Sequence, residues 1–359
     1  MARATVMLAA ALFGLAGCHG ALDCRAARPF TRPAASTQHF ADAPLRFAPV
    51  ASSPFAPRLA RAAAWLAAHE VQISTPDAGR VSLIAWWDPS LSTNQSQLVA
   101  YTLSDTLWSA WALRQLIVNS TVSDRLNHSL HTLGCASNGF FDQIFNARAD
   151  FHGHNNDADR AHGTVLGGAS CADHEVVAIR FPDYIEQPNA TDRAMAANFV
   201  DFAVQYAFYL LWNGEQSAAT AILRTAADQT KQPKAGIWFE EELGLLLDQA
   251  DAVSYDRWKA GKGTLVYCPF KQALFVLAAR EMALVGGGVA PESLLSRLEH
   301  RALDGQAADG SFCHRVELGA DGKRLPLPAA HCGTGETTAA VALAVLALPA
   351  GKRRGQATP

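Results

Sequence analysis

Apolar residues recur at helical spacing through most of the chain beyond position 58, in two kinds of segment. In "ESLLSRLEHRAL" (292–303), Leu294, Leu295 and Leu298 form one stripe with charges opposite, the pattern of a half-exposed helix. In "GTGETTAAVALAVLAL" (333–348) nearly every position after Thr338 is apolar, which predicts a buried helix. The two kinds alternate. "APRLARAAAWLAAHE" precedes "LSDTLWSAWALRQLIV", and "VSDRLNHSLHTLGCASNGFF" precedes "DRAMAANFVDFAVQYAFYLLW". "SAATAILRTAADQTKQPKAGIWF" precedes "YCPFKQALFVLAAREMALV". Outer segments end on a glycine followed within two residues by an aromatic, at Gly139, Gly236 and Gly310. The expected unit is an outer helix, a turn that plugs an aromatic into the core, and an inner helix running back.

A helix pair of this kind cannot bury its apolar face alone, so neighbouring pairs must stack. About four pairs are recognisable, which predicts an all-α domain over 58–349. A further helix is expected in "EELGLLLDQ", with Glu240, Glu241 and Glu242 as an acidic first turn.

Ahead of this domain, "MARATVMLAAALFGLAGC" has a charged Arg3, an apolar run and small residues at its end, the form of a signal peptide over 1–18. "LAGC" also fits a bacterial lipoprotein box, with the anchor at Cys18. Residues 19–57 read as an extended Pro/Ala-rich arm and 350–359 as a disordered tail. Asn94, Asn119, Asn127 and Asn189 each begin an N-x-[ST] sequon. With ten asparagines in the chain, chance alone gives roughly one sequon. The excess favours a secreted, glycosylated protein over the lipoprotein.

Beyond Cys18 the chain holds Cys24, Cys135, Cys171, Cys268, Cys313 and Cys332. An even count in an exported chain reads as disulfides. Proximity along the chain suggests Cys313–Cys332 and Cys135–Cys171. The net charge of −3 and the lack of a basic run argue against nucleic acid as a partner. The leader is too short to span a bilayer, so no membrane span is expected.

"QAADGSF" (306–312), followed by "GTGETTAAVALAVLAL", resembles the repeat of α/α-toroid proteins. These include terpenoid cyclases, protein prenyltransferase β subunits, complement-like thioester domains, cobalamin carriers, and several glycoside hydrolases and polysaccharide lyases. The resemblance implies an open or closed ring of helical hairpins with a cavity at its centre. It is strongest over about the last sixty residues and implies no single activity. The cyclases' DxDD acid is incomplete in "DADR" (157–160). The prenyltransferase zinc set has no clear counterpart. "CGTGET" from Cys332 stands where the thioester domains carry CGEQ.

Candidate chemistry concentrates in a few places. "FHGHNNDADRAHG" (151–163) holds His152, His154, Asp157, Asp159 and His162, and reads as a solvated rim, a substrate contact or a metal site. Asp105 and Glu336 stand at the starts of inner helices, as first-turn acids or as carboxylates facing a cavity. Glu241 is the acid of "WFEEE" chosen as a site residue. Tyr267 and Lys271 flank the start of the third inner helix; Tyr267 is either a lyase base or a core tyrosine with a satisfied hydroxyl. Trp86, Trp87, Trp108, Trp111, Trp212 and Trp238 suit either sugar stacking or core packing. No G-x-S-x-G, P-loop, HExxH or Rossmann fingerprint occurs.

Three readings follow. The first is a secreted carbohydrate-active enzyme, a glycoside hydrolase or polysaccharide lyase, with Asp105, His152, His154, Asp157, Glu241 and Glu336 as acids, bases and binders. For the hydrolase form, two acids must stand roughly 5–9.5 Å apart. The second is a non-catalytic toroid holding a small molecule, a glycan or a partner. The third is a cyclase or isomerase with Asp157 or Asp159 as a dry acid. No particular cofactor or metal is implied, and the oligomeric state is left open.

Overall fold

The computed structural model describes residues 47–75, 79–84, 100–101, 103–136, 145–146, 194–212, 215–230, 233–284, 286–327 and 332–349. The leader, nearly all of the arm, the tail and the 151–163 loop lie outside them. The described chain is rich in helix. In chain order it comprises α1 (Ala56–Ala68), β1 (Glu70–Thr75), β2 (Gly79–Ile84), β3 (Ala100–Tyr101), α2 (Leu103–Leu116), α3 (Thr121–Ala136), β4 (Phe145–Asn146), α4 (Val200–Trp212) and α5 (Gln216–Ala226). It continues through β5 (Trp238–Glu240), β6 (Leu245–Leu247), α6 (Ala252–Lys259), β7 (Leu265–Tyr267), α7 (Pro269–Leu284), α8 (Glu292–Leu303), β8 (Val316–Leu318) and α9 (Gly335–Leu346).

The alternation of pattern is an alternation of position. In α7 the residues from Gln272 to Met282 are all buried, and in α9 those from Thr337 to Ala344 are too. In α8 only one stripe is buried, Leu294, Leu295, Leu298, Ala302 and Leu303. The buried helices pack in the order α4, α7, α9, α2. The half-exposed helices lie against them: α5 on α4, α8 on α7 and α9, α1 on α9 and α2, and α3 on α2. Tight hairpins form between an inner helix and the outer helix that follows it, because connections such as 117–120 are short. The outer-to-inner connections are longer, and that joining α5 to α7 contains the strands β5, β6 and β7 together with α6.

The first and last described segments meet. Phe47 bridges Ala347, and the Ala48 N–H donates to the Leu346 carbonyl at 2.8 Å. The recurrent glycine has a steric cause. Gly310 has φ +102°, and a Cβ there would lie 2.5 Å from the Arg61 carbonyl oxygen on α1. Gly236 has φ +81°, and a Cβ there would lie 2.3 Å from the Ala197 oxygen just before α4. Each glycine lets a turn dock its aromatic, Phe312 or Trp238, into the interior at no exposure.

The all-α expectation needs one amendment. Among the described residues, four two-stranded antiparallel ribbons decorate the helices: β1–β2, β3–β4, β5–β6 and β7–β8. "EELGLLLDQ" is ribbon rather than helix. Gly244 adopts φ +67° in the turn, and β6 is buried along its whole length. Gln272 of α7 holds β6 from the side, accepting from the Leu246 N–H at 2.9 Å and donating to the Leu246 carbonyl at 2.7 Å. Both faces of the Leu245–Leu247 run are thus occupied, so its hydrophobicity carries no helical period.

The candidate functional site at the inner-helix starts

The inner helices begin at one end of the molecule. Asp105 in the first turn of α2 accepts, through Oδ1, the backbone N–H of Glu336 in the first turn of α9 at 2.8 Å. Asp248, after β6, accepts the N–H of Val200, the first residue of α4, at 3.1 Å and also binds Lys271 in the first turn of α7. Cys313 is disulfide-bonded to Cys332 ahead of α9, while Gly305 packs between the Cys313 carbonyl and Pro269, the first residue of α7. These contacts place the starts of α4, α7, α9 and α2 together. Their first turns carry Asp201, Lys271, Glu336 and Asp105 respectively.

The α4–α7 side is the denser. Lys271 Nζ donates to Asp248 Oδ1 at 2.7 Å and lies 3.2 Å from Asp251 Oδ2. Asp248 is fully buried and also receives the Ala250 N–H at 2.9 Å; Asp251 Oδ2 receives the Asp248 N–H at 3.1 Å. Burial pushes the Asp251 carboxyl up to about 7; the Lys271 charge opposes this, and the Asp248 charge adds to it. Asp201, half-buried, is raised for the same reasons in the same order. Burial alone would lower the Lys271 pKa, but Asp251 and Asp248 together raise it, so the ammonium is kept charged. Cys268 has no disulfide partner among the described residues, and burial lifts its thiol to about 11.

The sequence-chosen residues fall into three groups. Asp105 and Glu336 are brought together across two helices, with Asp105 only 2% exposed and Glu336 half-buried. Asp105 caps the start of α9, a helix from the other end of the sequence. Glu241 stands apart, exposed in the β5–β6 turn, where its carbonyl accepts from Arg297. The buried acid of that triplet is its neighbour Glu240, which receives the Tyr255 hydroxyl at 2.5 Å and pairs with Lys259 at 3.4 Å. His152, His154 and Asp157 lie outside the described residues.

Tyr267 is a core tyrosine. Its hydroxyl donates to the Arg301 carbonyl at 3.0 Å, and burial raises its pKa, which disfavours a phenolate base. Trp108, Trp111 and Trp238 are buried, with Trp108 stacked on Trp111; these three are packing residues. Trp86 and Trp87 lie outside the described residues. The Cys313–Cys332 bond is present as expected. Cys24 and Cys171 lie outside the described residues, so Cys135–Cys171 has no description.

Among the described residues no three His, Cys, Asp or Glu side chains gather as a metal site, and no helix is long and apolar enough to cross a membrane. A separate open cleft of about 340 Å³ lies between β2 and α3, lined by residues including Arg80, Arg125 and His128.

Sequence reasoning missed Asp201, Asp248 and Asp251. The available signal was "LLLDQAD": two carboxylates directly after an apolar run too short for a helix. Comparison with protein-family models, curated proteins and solved structures finds no match to this chain.

Proposed function

We propose that the protein is a secreted carbohydrate-active enzyme of α/α-toroid type, working at the end where its inner helices begin. One observation carries the reading: four inner helices each present an ionisable side chain from the first turn at that end, and one adjoining carboxyl, Asp251, is lifted to about 7. The packing order α4, α7, α9, α2, with an outer helix against each, supports a ring-like arrangement.

Glycoside hydrolysis needs one carboxyl protonated near neutral pH and a second ionised. Asp251 or Asp201 is suited to the first role, since desolvation keeps each carboxyl protonated to higher pH than usual. The second role is assigned to Glu336, half-buried in the first turn of α9 at the same end. In the hydrolytic step the acid gives its proton to the leaving glycosidic oxygen. Water then adds at the anomeric carbon, losing its proton to the carboxylate.

The test is a reducing-end assay of the purified protein on a panel of neutral and uronic polysaccharides, with ultraviolet absorbance to detect unsaturated uronide. Wild-type turnover that is lost in Glu336→Gln and Asp251→Asn, but kept in Glu241→Gln, supports the proposal. Turnover insensitive to both site variants overturns the assignment of residues. Glycan binding without turnover points instead to a carrier, a reading favoured by the mutual pairing of Lys271 with Asp248 and Asp251.

A further inference from the structure

Two of the four sequons lie within the described residues, and their surroundings differ. Asn119 is exposed in the turn between α2 and α3, in left-handed backbone at φ +55°. Asparagine tolerates this conformation better than most residues. Its neighbours are open to solvent: Val118 is 89% exposed, and Thr121, the hydroxyl residue of the sequon, is exposed at the first position of α3. Ser120 between them performs the structural task, its Oγ accepting the Ser123 N–H at 3.1 Å as a helix cap.

Asn127 lies inside α3, half-buried, with Nδ2 3.4 Å from Ser123 Oγ. The hydroxyl residue of its sequon, Ser129, is buried. Ser129 Oγ donates to the Arg125 carbonyl at 2.8 Å and accepts the Ser82 N–H of β2 at 2.7 Å. Asn127 Nδ2 is held by Ser123, whose Oγ donates to the Ala110 carbonyl of α2 at 2.8 Å, so a sugar on it would emerge beside the packed α2–α3 seam. One on Asn119 would emerge into solvent. The α2 helix begins at Leu103 near the ionisable cluster and ends at Leu116, roughly 20 Å away at 1.5 Å per residue. Asn119 is therefore at the far end, where a glycan leaves the proposed site open.

We infer that Asn119 is an N-glycosylation site and that Asn127 is an unmodified sequon. The inference rests on the secretory reading but on no particular enzymatic activity. Chemically, the Asn119 amide nitrogen attacks the anomeric carbon of a polyprenyl-diphosphate-linked oligosaccharide. The N–C bond forms, the bond from that carbon to the phosphate oxygen breaks, the diphosphate leaves with the electron pair, and one amide proton is lost to the transferase.

The experiment is to secrete the full chain from eukaryotic cells, release N-glycans enzymatically in heavy-oxygen water, and map the label by peptide mass. Trypsin cuts after Arg114, Arg125 and Arg148, so Asn119 and Asn127 fall on separate peptides. Label is expected on the Asn119 peptide and not on the Asn127 peptide. Thr121→Ala, which keeps the asparagine in its left-handed turn, should remove one glycan's mass and leave thermal stability and any glycan turnover unchanged. An unlabelled Asn119, a labelled Asn127, or failure of the chain to enter the secretory route each overturns the inference. An inactive but glycosylated protein overturns only the enzymatic reading.

Discussion

The carboxylate of Asp105 accepts the backbone N–H of Glu336, 231 residues further along, at 2.8 Å. It thereby satisfies one of the four N–H groups that the start of α9 leaves without an intrahelical acceptor. Thr334 at the cap position makes no side-chain capping bond of its own. Asp105→Ala should therefore cost about 1–2 kcal/mol, as loss of a cap does. Asp105→Asn, which keeps an acceptor oxygen, should recover most of it. Urea unfolding of the two variants decides; equal losses would mean that the bond to α9 contributes nothing.

Lys271 is the counter-charge of two buried carboxylates. Lys271→Met should cost about 3–5 kcal/mol near neutral pH, the usual result of leaving buried charge unpaired. The loss should shrink in acid, where the stranded carboxyls take up protons. Unfolding midpoints at about pH 5 and about pH 8 measure this. A cost independent of pH would show that the side chain matters only through its packing.

Asp251 sets a pH dependence of its own. Its carboxyl titrates near 3.8 in a model peptide and at about 7 in the fold, chiefly through burial. Between those values the native state holds a proton that the unfolded chain has released. This contribution to stability is complete below the lower value and lost as pH rises through about 7. Glu70 acts oppositely: its hydrogen bonds to Arg125 lower its pKa from 4.5, so its contribution is present above 4.5 and lost as pH falls below it. Asp251→Asn should flatten the decline between about pH 4 and about pH 7. An unchanged slope would mean that Asp251 is ionised throughout.

The Cys313–Cys332 bond closes a loop with a sequence separation of 19 next to the start of α9. On the chain-entropy account such a closure contributes about 3 kcal/mol. Cys313→Ala/Cys332→Ala should lower the unfolding free energy by that order, and adding reductant should then change nothing further. A reductant effect persisting in the double variant would reveal another disulfide elsewhere in the chain.

Gly310→Ala is expected to be among the costlier turn substitutions, because the glycine is buried. It combines an unfavourable φ of +102° with a Cβ driven against the Arg61 carbonyl of α1. A loss above about 1 kcal/mol is expected, with the contact between this turn and α1 loosened. Hydrogen exchange of α1 would show it. Native protection in the variant would exclude that docking role.

The eight inner and outer helices were legible because each is long enough to show either an amphipathic period or a sustained apolar run. The ribbons were not: strands of two or three residues carry no detectable alternation, and β6 is buried on both faces. Glu241 was chosen over Glu240 for the same reason. Three adjacent acids look alike in sequence, and only the ribbon turn decides which one turns inward.

The sequence by itself determined which helices are inner and which outer, where the turn glycines recur, and that ionisable residues stand at inner-helix starts. Those properties are local; they follow from spacing, side-chain type and backbone sterics. The tertiary structure decided that Asp105 caps α9, and that Asp248 and Asp251 meet Lys271 at the start of α4. Those pairings bring distant segments to one end of the molecule, and a hydrogen bond or a desolvated charge exists only once its partner has arrived.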